Sequence, residues 1–329
     1  MFKIYPKFIK KDKEDLINLL HSQNINYEEN IDTTFAKYEG EKLVASASIY
    51  KNIIKCVAID DAFKGGSVFN SLMTDILNEI HEKNYDKAFV YTKPTYENSF
   101  ASIGFNKIEE VGSDLVFMER ANHGFASYLK MLENEKVSGS NIGAVVLNAN
   151  PFTLGHRHLI EYGLKNADYL HIFVVSEDES YFNTEDRYKM VDLGTRDLEN
   201  ISLHKTDNYL ISSATFPSYF LDEDKSVTKI QASLDAKIFK NHIAKVLGIK
   251  KRFVGEEKTD ETTNIYNQTM REIFNEGENK IELIEIPRKK SCDQTISAST
   301  VRAYLESGEI EKIKNLVPET TYNYIKNLS

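Results

Sequence analysis

Hydrophobic and polar residues follow two different periods in the first third of the chain. From Lys42 to Ile59 two β-type runs lie on either side of a polar turn at residues 50–52, with alternation in the first run, which predicts a β-hairpin. The spacing then changes to that of an amphipathic helix, and a strand-type run follows at residues 85–92. The apolar positions of the predicted helix are Val68, Phe69, Leu72, Met73, Ile76, Leu77 and Ile80.

Beyond residue 140 the pattern becomes a regular alternation of strands and helices. This order predicts a parallel, doubly wound sheet of the Rossmann-like type. Such sheets bind ligands at the carboxyl ends of their strands, so functional side chains are expected in the loops that follow them. The predicted strands are residues 143–149, 170–176, 201–205, 251–255 and 281–286, and helical patterns begin near residues 156, 184 and 263.

The length of the chain indicates two domains. At about 150 residues per domain, the 329 residues suffice for two separate cores. A short apolar helical pattern followed by Ser138-Gly139-Ser140 is typical of a boundary. We therefore predict an α/β protein with an α+β domain over residues 1–120, a linker over 121–140 and a parallel-sheet domain over 141–329.

Composition and charge exclude several classes of function. A formal net charge of -9 argues against a nucleic-acid partner. The two cysteines, Cys56 and Cys292, form neither a disulfide framework nor a zinc-ligand cluster, so no protein metal site is expected. The sequence contains neither a secretory leader nor an apolar run long enough to cross a membrane. We expect a cytoplasmic protein with no membrane partner.

A glycine turn in the first domain is a candidate anion site. Lys64, Gly65 and Gly66 stand between the hairpin and the amphipathic helix. A strand, a glycine turn and a helix start can hold a phosphate, because backbone N–H groups and the helix dipole converge there. A structural interpretation stays open beside this one: the glycines form a tight turn, and Asn98 caps the next helix.

Two segments of the second domain carry residues suited to displacement at a phosphate. After the strand that ends near Asn150, Gly155 allows close approach of a ligand, and His156 lies in the first helical turn. Thr153 can donate its hydroxyl to the same phosphate oxygen. Near the end of the chain, "ISASTVR" forms another helix start with hydroxyls and a guanidinium. Alternatively, His156 has no function and the serines are helix caps only.

These segments resemble the signatures of known families. Thr153-Leu154-Gly155-His156 resembles the (His/Thr)-x-Gly-His motif of nucleotidylyltransferases, and Ile296–Arg302 resembles their second motif, Ile-Ser-x-Ser-x-Val-Arg. The element order of the first domain resembles the GNAT acetyltransferase fold, which holds the pyrophosphate of coenzyme A where Lys64, Gly65 and Gly66 stand. Ser67 occupies the place of that family's last glycine.

The chain as a whole resembles the citrate (pro-3S)-lyase ligase family, also called citrate lyase synthetases. The similarity rests on "NANPFTLGHRHLIE", "FVGEEKTDETTNIYNQTMREI" and "ISASTVRAYL". It implies ATP and Mg²⁺ as cofactors, and acetate as the group that attacks the α-phosphate to give acetyl-adenylate and pyrophosphate. It further implies, as partner, the acyl-carrier subunit of citrate lyase, whose phosphoribosyl-dephospho-coenzyme A group receives the acetyl on its thiol. This acetylation activates the lyase.

The resemblance and the strand-end positions together suggest site residues. The catalytic candidates are Thr153, His156 and Arg302. The GNAT-like domain is expected to hold the coenzyme A-like arm through Lys64, Gly65 and Gly66. The candidates for ATP binding are Asn148, Asn150, Phe152, Gly155, Arg187, Gly255, Glu256, Tyr266, Asn267, Ile296, Ser297 and Ser299.

Two rival functions stay open from the sequence. The first is a phosphopantetheine or nicotinamide-mononucleotide adenylyltransferase fused to an active acetyltransferase, whose acceptor is a phosphate rather than a carboxylate. The second is a non-catalytic nucleotide or acyl-coenzyme A sensor, suggested by Ser67 and by Thr153 in place of the first histidine.

Overall fold

The chain forms two compact units. A computed structural model describes residues 2–4, 10–176, 180–210, 216, 218–221, 226–256, 261–287, 290–291 and 294–328. The first unit comprises Met1–Tyr128 and a later segment, Pro217–Ile230, and the second comprises Leu129–Phe216 and Gln231–Ser329. No helix among the described residues is long and apolar enough to span a bilayer.

The first unit is built on a seven-stranded sheet with the order β1-β2-β3-β4-β5-β7-β6. All neighbours are antiparallel except β4 and β5, which pair in parallel only at Ile53–Phe89 and Ile54–Val90. The strands are β1 (Phe2–Ile4), β2 (Thr33–Glu39), β3 (Lys42–Tyr50), β4 (Ile53–Ile59), β5 (Lys87–Thr92), β6 (Asn106–Val111) and β7 (Leu115–Ala121); the helices are α1 (Lys10–Ser22), α2 (Gly66–Glu82) and α3 (Glu97–Ala101), followed by α4 (Phe125–Asn134).

Helix α2 closes the core of this unit with the apolar face that its sequence period predicts. Its residues Leu72, Met73 and Ile76 are at most 1% exposed and pack against β3, β4 and β5. Because β4 and β5 separate after their short paired stretch, the start of α2 lies beside two diverging strands.

The second unit contains a five-stranded parallel sheet with the order β10-β9-β8-β11-β12. Its strands are β8 (Ile142–Leu147), β9 (Tyr169–Val174), β10 (Ile201–Lys205), β11 (Ile249–Gly255) and β12 (Glu282–Ile286), with a small ribbon of β13 (Lys290–Ser291) and β14 (Gln294–Thr295). Its helices are α5 (Leu154–Lys165), α6 (Thr184–Thr195), α8 (Lys245–Leu247), α9 (Glu261–Asn275), α10 (Ala298–Glu306) and α11 (Glu319–Leu328), together with α7 (Val227–Ile238), whose residues up to Ile230 belong to the first unit.

The strand order of this sheet reverses at β8, which has β9 on one side and β11 on the other. Pairing of β8 with β11 ends at Ala144 and Arg252, although both strands continue, to Leu147 and Gly255. The two strands therefore part at their carboxyl ends. A crevice at such a switch point is where doubly wound sheets bind their ligands.

Apolar side chains cover both faces of the parallel sheet. On one face Leu170, Ile172 and Val174 contribute to a large core cluster with α5, α6 and α11. On the other face Phe173 contacts Phe239, which lies in a π-helical stretch, Phe239–Ala244, that continues α7. The predicted α/β class is therefore confirmed, with a mixed sheet in the first unit and a doubly wound parallel sheet in the second.

Three details differ from the sequence-based expectations or add to them. Asn98 does not cap a helix, because α3 begins at Glu97 and its N-cap position is Tyr96. The stretch predicted as a linker contains α4, and the two units divide within that helix, after Tyr128. The segment Pro217–Ile230 joins the first unit, an arrangement that no pattern in the sequence indicates.

Candidate active site

Thr153 starts helix α5 and connects it to His156. Its Oγ1 accepts a hydrogen bond from the backbone N–H of His156 at 3.3 Å. The histidine ring bonds back, since its Nδ1 lies 3.0 Å from the backbone nitrogen of Thr153 and 3.0 Å from its Oγ1. Thr153 is only 2% exposed, so a buried, reciprocal cap fixes the first turn of the helix.

The hydrogen bonds of His156 determine which ring nitrogen carries the proton. A backbone N–H can only donate, so Nδ1 accepts from Thr153 and the proton of the neutral ring lies on Nε2. The ring is also parallel to that of the fully buried Phe152, with centroids 6.0 Å apart. The Nε2–H is therefore an oriented donor at a helix N-terminus, where the dipole favours an anion.

The second sequence motif lies against the first. Arg302 on α10 donates from Nη1 to the carbonyl oxygen of Asn150 at 2.7 Å. A Cβ built on Gly155 would lie 3.5 Å from the carbonyl oxygen of Ile296, so the two backbones approach closely at that glycine. Residues from both motifs are thus brought to the carboxyl end of β8.

The two serines of the second motif have different roles in the helix. Ser297 is the N-cap of α10, because its Oγ accepts from the backbone N–H of Thr300 at 3.1 Å. Ser299 lies inside the first turn, and its Oγ accepts from Nη2 of Arg302 at 3.3 Å. The cap interpretation therefore holds for Ser297 and not for Ser299.

The side chain of Arg187 is buried beneath the strand ends and is not exposed at the surface there. Its side chain is fully buried and donates from Nη1 to the carbonyl oxygens of Asn148 and Val175, at 2.8 and 2.7 Å. Nη1 also bonds the side-chain oxygen of Asn148 at 2.9 Å, and Nε bonds the carbonyl oxygen of Phe182 at 3.1 Å. Its guanidinium thus joins the loops that follow β8 and β9.

The remaining candidates lie on and after β11. Gly255 ends that strand, and no described atom lies within 4 Å of the Cβ position it lacks. The backbone N–H of Glu256 donates to the carbonyl oxygen of Ile286 at 2.7 Å. On α9 the hydroxyl of Tyr266 donates to Asp235 at 2.8 Å, and Asn267 is 6% exposed. The hydroxyl of Tyr266 is therefore bonded within the protein, and the side chain of Asn267 is buried.

The first unit has a separate cavity of about 510 Å³, lined by residues of the diverging strands β4 and β5. Lys64, Gly65 and Gly66, at the start of α2, form part of its wall. Gly65 is extended, with φ of -175°, so the glycine pair is not a left-handed turn. The Nζ of Lys64 lies 2.6 Å from Asp61 and its side chain is 48% exposed.

Two residues of the cavity wall were not anticipated from the sequence. Tyr219 and Phe220 belong to the segment Pro217–Ile230 and are 7% and 6% exposed. The carbonyl oxygen of Tyr219 accepts from the backbone N–H of Asn26 at 2.7 Å. No motif or period marks them, because their position depends on the return of the chain to the first unit.

Comparison with known proteins assigns the family. The family model described as the citrate lyase ligase C-terminal domain matches residues 142–325. Over 311 residues the chain is 39% identical to a citrate (pro-3S)-lyase ligase of Haemophilus influenzae, covering 93% of each chain. The chain belongs to the citrate lyase ligase family. It is therefore an enzyme, and the family predicted from its sequence motifs is confirmed.

A second relative agrees with this assignment over most of the chain. A citrate (pro-3S)-lyase ligase of Escherichia coli is 37% identical and covers 97% of this chain and 91% of its own. Among solved structures, an acetyltransferase of the GNAT family from Staphylococcus aureus is similar to 36% of this chain and 97% of its own, with 15% identity and a TM-score of 0.31.

Proposed function

We propose that this citrate lyase ligase activates citrate lyase by acetylating the thiol of the prosthetic group on its acyl-carrier subunit. The names of the relatives support the lyase as target. The observation that carries the mechanism is the meeting of the two motifs at the end of β8, through Arg302 and Asn150 and through Gly155 and Ile296.

In the first step a carboxylate oxygen of acetate attacks the α-phosphorus of ATP, and pyrophosphate leaves with the electron pair of the broken P–O bond. No covalent bond to the enzyme is needed, so orientation and charge stabilisation supply the rate. His156 donates its Nε2–H to an oxygen of the reacting phosphate. The N-termini of α5 and α10, with Ser299 and Arg302, bind the triphosphate.

The arrangement of these residues fits a nucleoside triphosphate. Two helix N-termini converge on the carboxyl end of β8, and no described atom lies within 4 Å of the Cβ position that Gly255 lacks at the neighbouring strand. Among the described residues no cluster of His, Cys, Asp and Glu side chains is arranged to hold a metal ion. Mg²⁺ would bind together with the triphosphate and would neutralise part of its charge, a role that needs few protein ligands.

In the second step the thiol of the prosthetic group attacks the carbonyl carbon of acetyl-adenylate, and AMP leaves. We propose that the cavity of the first unit binds the coenzyme A-like part of this group, which is a phosphoribosyl-dephospho-coenzyme A. Its volume suits a slender arm, and Lys64 and the N-terminus of α2 suit a phosphate.

The first experiment measures pyrophosphate release from ATP and Mg²⁺ with and without acetate. We expect acetate-dependent release in the wild type, its loss in His156→Ala, and normal release in His158→Ala, which changes a histidine of the same helix. Pyrophosphate release at the same rate with and without acetate would contradict carboxylate adenylylation and favour a phosphate acceptor.

A second experiment tests the role of the cavity. Lys64→Glu combined with Gly65→Asp places negative charge at the proposed phosphate position. We expect a raised KM for the carrier subunit and unchanged acetate-dependent pyrophosphate release in its absence. An unchanged carrier KM would remove the cavity from the proposal and leave the adenylylation step untouched.

A further inference from the structure

The loop after β8 contains backbone strain that its surroundings must hold. Ala149 is fully buried and has a φ of +50°, a left-handed conformation that residues with a Cβ rarely adopt. Such conformations persist only where neighbouring contacts impose them, and they concentrate at functional sites. Thr153 follows on the same loop and His156 lies in the helical turn after it, so their position depends on how Ala149 is held.

Arg187 bonds the residue that precedes Ala149. Its guanidinium bonds both the carbonyl oxygen and the side-chain oxygen of Asn148, which precedes Ala149. The same group bonds Val175 at the end of β9 and, through Nη2, Thr184 at the start of α6, at 3.1 Å. A planar fork of donors can satisfy several carbonyls at fixed angles, which an ammonium cannot.

The residue on the other side of Ala149 is held as well. The side-chain oxygen of Asn150 accepts from the backbone N–H of Phe182 at 3.0 Å, and Phe182 itself bonds Arg187 through its carbonyl oxygen. The carbonyl oxygen of Asn150 accepts from Arg302. The two neighbours of Ala149 are thus bonded into one network that is centred on a buried arginine.

We infer that Arg187 is a positioning residue, which acts on the reaction by holding the strained loop at residues 148–150, and that it does not bind ATP. Asn148 and Asn150 belong to the same network, and their side-chain oxygens are occupied by protein donors. The inference rests on the proposed function in one respect only, because the kcat used to test it is that of acetate-dependent pyrophosphate release.

The test compares Arg187→Lys with Arg157→Lys in the full-length protein. In Arg187→Lys we expect faster hydrogen exchange at residues 148–156 and a fall of about 100-fold in kcat for acetate-dependent pyrophosphate release. The calorimetric Kd for ATP should change by less than about threefold. Arg157 donates instead to Gly194 and Asp197, so its variant should keep normal exchange and kcat.

Glycine at position 149 provides a rescue test. Because glycine adopts a φ of +50° without strain, adding Ala149→Gly to Arg187→Lys should recover at least about tenfold in kcat. If Arg187→Lys does not fold, Asn148→Ala serves instead, because it removes one acceptor of the network. It should also raise hydrogen exchange at residues 148–156 and lower kcat, with smaller changes in both.

Three results would overturn the inference: unchanged exchange at residues 148–156, absence of rescue, or a Kd for ATP that rises while kcat stays constant. The last would show that the guanidinium contacts the nucleotide. If the wild type releases no pyrophosphate with acetate, the proposed function fails, whereas hydrogen exchange still decides the role of Arg187.

Discussion

Two places in the molecule share one structural feature: the cavity of the first unit, and the site at the carboxyl end of β8 in the second unit, with Thr153, His156 and Arg302, which we call the strand-end site. In each, two neighbouring parallel strands pair for a short distance and then separate: β4 from β5 after Ile54 and Val90, and β8 from β11 after Ala144 and Arg252. In each, a helix begins beside the opening. Each proposed binding site therefore lies where two parallel strands separate.

The two sites differ in how their walls are held. Aromatic contacts support the cavity wall, as where Phe69 meets Phe100 edge to face at 5.4 Å. At the strand-end site, charged groups bond the backbone, as Arg187 and Arg302 do at residues 148–150. Apolar walls suit binding of a flexible arm, whereas fixed donors suit chemistry that depends on orientation. This difference predicts that substitutions at the two sites change different steps.

The largest expected effect is at His156. Removing an oriented donor from a charged transition state costs about 100- to 1,000-fold in rate, so His156→Ala should lower acetate-dependent pyrophosphate release by that factor. Affinity for the carrier subunit should be unchanged, as measured by calorimetry on the same preparation. If His156→Ala weakened carrier binding by a similar factor, the proposal that the two sites serve different steps would be wrong.

A smaller effect is expected from Gly194→Ala on α6. A Cβ there would lie 2.6 Å from the buried ring of Phe152, the ring that lies parallel to His156. Overpacking of this kind costs about 1–3 kcal/mol, so we expect a lower midpoint in urea and reduced activity.

Gly66→Ala in the first unit is the matched control for that substitution. The atom closest to its new Cβ would be Nδ2 of Asn70, at 3.9 Å. Stability should be unchanged or slightly higher. A loss of stability equal to that of Gly194→Ala would show that the packing around Gly66 is as tight as the packing around Gly194.

Acid should destabilise the second unit through a buried histidine pair. Nδ1 of His171 lies 2.9 Å from Nε2 of His204, and Nδ1 of His204 lies 3.4 Å from Glu135. Burial lowers the pKa of His171 to about 4; burial and the neighbouring His171 lower the pKa of His204 to about 3. Both histidines are therefore neutral in the folded protein and take up protons more readily when it unfolds.

Stability from this pair is complete above the unfolded pKa of about 6.5 and is lost as pH falls towards the folded values. At pH 5 the loss should be on the order of 2 kcal/mol for each histidine, or about 4 kcal/mol for the pair. Urea titrations between pH 7 and 5 measure it, and the double variant His171→Gln with His204→Gln should show a flatter dependence. An equal slope in the variant would assign the effect to other groups.

The smallest effect is expected for an exposed ion pair. Arg196 lies 2.7 Å from Asp192 on the same helix, and its side chain is 58% exposed. Pairs of this kind contribute about 0.5 kcal/mol or less to stability. Arg196→Ala should therefore leave acetate-dependent pyrophosphate release, the KM for the carrier subunit and the urea midpoint nearly unchanged. A large loss would show that surface charge contributes to the strand-end site.

Elements with a clear period could be predicted from the sequence. The strand at residues 201–205 and the helix start at Thr184 coincide with the structure. In the helix the buried positions recur at the helical period. The two motifs were recognised because glycine, histidine and serine have local reasons to stand at helix starts. The helix predicted to begin near His156 begins at Leu154, because Thr153 forms the cap.

Other features depend on contacts between distant residues and leave no local pattern. The helix position of Arg187 predicts a role in ATP binding, whereas its bonds to loops after two different strands have no local pattern in the sequence. His171 and His204 meet only because β9 and β10 are neighbours. All the assignments of residues to catalysis, to ATP binding and to binding of the coenzyme A-like arm stay predictions, as do the domain limits.

The late position of Pro217–Ile230 in the chain has a consequence for biosynthesis. The ribosome completes Met1–Tyr128 long before it adds Tyr219 and Phe220, which finish the wall of the cavity. During that interval the nascent first unit exposes apolar surface that the mature protein covers. A gene fragment that stops after Tyr128 encodes the same incomplete unit, so we expect it to need chaperones or to aggregate when expressed alone.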